Sequence, residues 1–199
     1  MNKTKLYGRE YSRTQLKNNI MKVYDVSGRG KNWYKKAHAF AAGLSKDITL
    51  EQSAGIIAAL SPQKSWSTNQ KLAKSFILDG KRSGHTGVFI LKCERILMTE
   101  QVEEIATILN GNKITSFFYN ILYPENFGPV TIDRHAIGIA VNGPKRRVLG
   151  NLSLTDNQYR GIEQAYILAA EQLGIFPHEL QAITWVKYRS IQAKGLNVN

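Results

Sequence analysis

Apolar residues recur along this chain at spacings of three and four, and almost never in sustained alternation. That period belongs to amphipathic helices laid against a core. Between Glu10 and Val26, the positions Leu16, Ile20, Val23 and Tyr24 form one such stripe. A Gly-rich basic turn follows, Ser27-Gly28-Arg29-Gly30-Lys31, and Trp33 to Leu44 reads as the next helix. Thr49-Leu50-Glu51-Gln52 is a capping box opening a helix from Leu50 to Leu60, whose small, apolar surface predicts burial in the middle of the fold. Pro62 ends it, and Trp66 to Leu78 resumes. Asp79 to Thr86 reads as a loop, while Val88 to Leu97 suits a short helix or a strand. Further helices are predicted from Glu100 to Leu109 behind Thr99, from Ile114 to Leu122 and from Arg134 to Val141. The capping box Thr155-Asp156-Asn157-Gln158 opens another running to about Leu173, and Pro177 stands in the first turn of a last one through Gln192. No β-hairpin is expected, so the predicted class is all-α. The 199 residues suit a single helical domain, with possible sub-lobes at 31–141 and at 1–30 plus 142–199.

Charge narrows the partners. Lys and Arg number 27 against 15 Asp and Glu, a formal net charge of +12. Such a surplus favours a polyanion, because each cation placed near a phosphate displaces condensed counterions. Cys93 is the only cysteine, which excludes an intrachain disulfide and a four-cysteine zinc or iron–sulfur site. His38, His85, His135 and His178 lack metal-ligand spacing, so no metal or other cofactor is expected. No apolar run is long enough to span a bilayer, and the N-terminal residues lack the apolar core of a signal peptide. The expected setting is the cytoplasm.

Two places could carry chemistry. At Leu109-Asn110-Gly111-Asn112-Lys113-Ile114-Thr115, one helix ends, a Gly-containing turn intervenes and another helix begins. Backbone N–H groups at that second helix start, with Lys113 beside them, would suit a phosphate; the other reading is an ordinary helix–turn–helix connection in which Gly111 supplies a left-handed cap. Downstream, Val130-Thr131-Ile132-Asp133-Arg134-His135 puts a carboxylate directly after a short apolar run. Asp133 would naturally cap the helix from Arg134, which holds the carboxylate in one orientation whether or not it has a further role.

These residues resemble the helix-hairpin-helix superfamily of DNA glycosylases. Leu109 and Gly111 match the hairpin, Phe127-Gly128-Pro129 the loop that follows, and Asp133 and His135 the catalytic segment. Upstream, Ala59-Leu60-Ser61-Pro62-Gln63-Lys64-Ser65-Trp66 resembles the family segment that ends a buried helix. The resemblance covers Leu50 to Val141. It implies a two-lobed helical fold with a central cleft, here without an iron–sulfur cluster, and a monomer acting on double-stranded DNA. It further implies excision of a damaged or modified base by hydrolysis of its N-glycosidic bond. A phage-associated branch points to hypermodified pyrimidines, such as glucosylated hydroxymethylcytosine, as targets in antiviral defence.

Asp133 is the expected catalytic carboxylate and His135 a helper, or a packing residue of the same helix. Gln63, Trp66, Trp33 and Tyr34 are the expected base-pocket or wedge residues, although each could equally be structural. Gly111, Asn112, Lys113, Thr115, Lys64 and Arg134 are the expected phosphate contacts, with Lys145, Arg146 and Arg147 at the periphery. Lys113 replaces the second hairpin glycine, and Thr115 stands where strand-cutting members carry a nucleophilic lysine, so base removal without efficient strand cleavage is expected. Trp185 is expected in the core. Two other readings stay open: a non-catalytic DNA-binding module on the same scaffold, or a basic helical protein that binds RNA or a protein partner.

Overall fold

The computed structural model describes residues 3–142 and 153–194. Among them are ten α-helices and one two-stranded antiparallel sheet, so the chain is predominantly helical. The sheet corrects the expectation of no β-hairpin. Strand β1 (Lys3–Leu6) pairs with β2 (Arg9–Ser12) through a two-residue turn, Tyr7-Gly8, in which both residues have positive φ, 52° and 79°. Primed turns of that kind match the twist of a hairpin. Its alternation is faint because Leu6 is the strand residue that is fully buried, while Lys and Arg fill most outward positions.

The helices are α1 (Arg13–Lys22), α2 (Trp33–Leu44), α3 (Leu50–Ala59), α4 (Trp66–Ile77) and α5 (Gly87–Ile96). They continue with α6 (Val102–Leu109), α7 (Asn112–Leu122), α8 (Arg134–Val141), α9 (Asp156–Leu173) and α10 (Pro177–Ala193). Ser12, Thr49 and Thr155 each close a reciprocal capping box with the Gln three residues on. The ambiguous segment after Thr86 is helical, with Ile90, Cys93 and Ile96 buried at spacings of three. Helix α6 starts later than Thr99 predicts. The Gln52 amide donates to the carbonyls of Leu97 and Thr99, both at 3.1 Å, and pins that backbone outside the helix.

The chain divides into two compact units, Met1–Tyr34 with Glu125–Asn199, and Lys35–Pro124. In the continuous unit, α3 is the hub: every residue from Gln52 to Ala59 is buried, and α4, α5, α6 and α7 all pack on it. Gly55 permits close approach, since a Cβ there would lie 2.7 Å from Ile105. In the other unit, α1, α8 and α10 pack against α9 around a core that includes Leu16, Ile20, Ile137, Ile162, Tyr166 and Leu180. The hairpin seats on α9 at Gly161, where a Cβ would collide with Thr4. This division groups residues 125–141 with the chain's terminal segments, whereas the sequence grouped them with the hairpin at Gly111.

Candidate active site

The approach to Asp133, Val130 to Ile132, is buried backbone that pairs with no strand among the described residues, so its polar groups need other partners. Helix α9 supplies them. Tyr159 donates its hydroxyl to the Val130 carbonyl at 2.7 Å and accepts from the Ile132 N–H at 3.1 Å. Glu163 accepts from the Val130 N–H at 3.1 Å, and Arg160 pairs with that same carboxylate. With Val130 and Ile132 buried, the segment delivers Asp133 to the head of α8 in a fixed register.

Asp133 is half-buried. Its Oδ1 accepts from the N–H groups of His135 and Ala136, at 2.9 and 2.8 Å. Its Oδ2 accepts from the indole Nε1–H of Trp185 on α10, at 3.1 Å. All three donors are neutral, and no ion pair joins Asp133 to another described residue. The carboxylate is therefore oriented without being neutralised.

Beyond Trp185, further aromatic rings follow. Trp185 lies edge-on to His135 and Trp33, with centroids 6.1 and 6.2 Å away, and His135 lies 6.2 Å from Tyr188. The Arg189 guanidinium lies over the Trp185 ring, 4.6 Å from its centroid. Gly138 lets α8 and α10 approach, because a Cβ there would fall 2.7 Å from the Tyr188 hydroxyl. Trp33 is positioned by the turn before α2. The Asp25 carboxylate accepts from the Ser27 hydroxyl and N–H and from Arg29 Nε, contacts that hold its pKa below the usual carboxylate value. Gly30, at φ 97°, then presses against α10, where a Cβ would meet the Ala182 carbonyl at 2.8 Å.

The predicted site residues fall into two groups. Asp133, Arg134, His135 and Trp33 lie together around the head of α8 and the middle of α10, Arg134 exposed. Tyr34 belongs to the same unit but is core: it is 3% exposed, and its hydroxyl donates to Gln181 at 2.8 Å. A buried ring with its hydroxyl already engaged has no face to offer a base, which corrects its assignment to the pocket.

Gln63, Lys64, Trp66, Gly111, Asn112, Lys113 and Thr115 belong to the other unit. Gln63 is exposed and held at φ 60°, a left-handed conformation costly for a residue with a side chain. Its loop is braced by His85, whose Nε2 meets the Pro62 carbonyl at 3.1 Å, and by Lys64, whose Nζ donates to the Gly84 carbonyl at 3.3 Å. Partial burial holds the His85 pKa below its usual value. Trp66 is half-buried and edge-on to Phe40 at 5.8 Å. At the turn between α6 and α7, Asn110 and Gly111 have φ of 48° and 103°, and the N–H groups of Ile114 and Thr115 both reach the Gly111 carbonyl at 3.1 Å. Lys92 Nζ donates to the Leu109 carbonyl at the end of α6. Lys113 is exposed. Lys145, Arg146 and Arg147 lie outside the described residues.

Residues 3–192 match a family described as a family of unknown function, DUF7178. The chain belongs to it. No curated protein and no solved structure matches the chain. For this DUF7178 member, no helix among the described residues is long and apolar enough to cross a membrane. Nor, among those residues, does any group of three or more His, Cys, Asp or Glu side chains stand where it could hold a metal ion.

Sequence reasoning missed Trp185, Tyr188 and Arg189. Trp185 was expected in the core, yet it is half-buried and spends its only N–H on Asp133. The one available signal was the four-residue spacing of Trp185 and Arg189, which puts both on one helix face.

Proposed function

We propose that this protein is a DNA N-glycosylase of the helix-hairpin-helix kind, which extrudes a damaged or modified nucleotide and hydrolyses its base–sugar bond with Asp133. One observation carries the reading: a partly exposed carboxylate held by three neutral donors and, among the described residues, by no cation, with the Trp185 indole against it. As the bond to the base breaks, its electron pair leaves with the base and positive charge builds on the deoxyribose ring. A fixed, uncompensated carboxylate stabilises that cation, and more strongly where rings exclude water. Water then adds to the anomeric carbon and gives up its proton, which the Asp133 carboxylate can accept. Extrusion costs a few kcal/mol of stacking and pairing. Trp33, Trp185 and His135 provide faces and edges that offset part of it. The turn at Gly111 and the excess of Lys and Arg supply phosphate contacts, and Thr115 leaves no amine there for strand cleavage.

The test is incubation of the protein with normal, damaged and phage-modified duplex DNA, followed by chromatography for freed bases and heat-alkali cleavage at abasic sites. One substrate class should release base, with strand breaks appearing only after alkali. Asp133→Asn should abolish release while duplex affinity stays equal or rises. Absence of freed base from every substrate, or release that survives Asp133→Asn, overturns the proposal.

A further inference from the structure

Trp185 joins two opposite charges that do not cancel. Its N–H holds the Asp133 carboxylate, and its face carries the Arg189 guanidinium four residues on. Arg189 is exposed, and among the described residues no carboxylate pairs with it. A guanidinium lying over an indole keeps its planar fork of N–H donors available to a ligand. A fork fixed in this way is preorganised for a phosphate, which it grips through two parallel hydrogen bonds. An anion held there lies one indole away from Asp133, so the two charges fit a ligand that is negative at one end and becomes positive at the other. A nucleotide has that form when its sugar turns cationic beside its own phosphate.

We infer that Arg189 grips the phosphate of the nucleotide whose sugar faces Asp133, with Trp185 setting the spacing between the two. The inference rests on the glycosylase reading above and adds to it a phosphate contact on α10, outside the hairpin at Gly111.

Binding tests it without turnover. The probe is a duplex carrying a tetrahydrofuran abasic analogue, which has no base to release, and affinity is measured across a salt series. Each phosphate contact contributes about 0.9 to the slope of log affinity against log salt. Arg189→Gln should lower the slope by about that amount and weaken low-salt binding by about tenfold, whereas Arg189→Lys should keep the slope. Circular dichroism should show both variants folded. Wild-type slope and affinity in Arg189→Gln would overturn this inference alone, because base release by the unmodified protein would still stand. A wild-type protein that binds no duplex would overturn it together with the glycosylase reading.

Discussion

A helix-capping aspartate is common, and what distinguishes Asp133 is the donor on its second oxygen. The two backbone N–H groups on Oδ1 would satisfy a purely structural cap. Trp185 adds an N–H to Oδ2, so neither oxygen is free to rotate away. Trp185→Phe keeps the aromatic bulk and removes only that donor. A hydrogen bond to a charged group is worth about 1.5 kcal/mol or more. If the orientation of Asp133 matters to the reaction, the rate of base release should fall at least about tenfold. The melting temperature and duplex affinity should change little, because ring packing and the phosphate contacts survive. Single-turnover kinetics with equal amounts of both proteins would decide it, and an unchanged rate would reduce Trp185 to a packing residue.

At the scale of elements, what the sequence revealed was what is local. The capping boxes at Thr49 and Thr155 announce their helices within four residues, and the buried character of α3 follows from an apolar run too continuous for a surface helix. Asp133 was legible as the cap of α8 for the same reason, since a carboxylate between an apolar run and a helix is a short-range pattern. The Trp185 contact was not, because 52 residues separate it from Asp133 and nothing in the period of α10 says which helix it meets. That meeting depends on Gly138, which brings α8 to the Tyr188 hydroxyl. Gly138→Ala should therefore cost about 1–3 kcal/mol by overpacking, although alanine favours helices. Tyr188→Phe removes the atom that the new methyl would strike first. The double variant should be more stable than the sum of the two single changes predicts, by about 1 kcal/mol in thermal or urea unfolding. Strict additivity would mean that the helices separate freely, and the approach of α8 to α10 would then not depend on this glycine.

Across the whole chain, the division into units was the least legible feature. Periodicity counts helices but does not say which of them share a core, so 31–141 read as one body when residues 125–141 pack with the chain's terminal segments. The physical cause is the segment before Asp133: Val130 and Ile132 bury themselves in the core of α1, α8, α9 and α10, with Tyr159 and Glu163 binding their backbone. The two units should then differ in how they fold. One is discontinuous, and its core forms only when α1 meets α9 across more than a hundred residues, a costly closure. The other is continuous, and α3 contacts each of its later helices within a short stretch of chain. A continuous segment with its own buried hub meets the requirements of an autonomous domain. A fragment of residues 33–124, which keeps all of α2, should retain a helical circular dichroism spectrum and unfold cooperatively in urea, with a midpoint below that of the full chain. A spectrum of random coil would show that burial of α3 alone does not hold the fragment together, and that its fold requires the discontinuous unit.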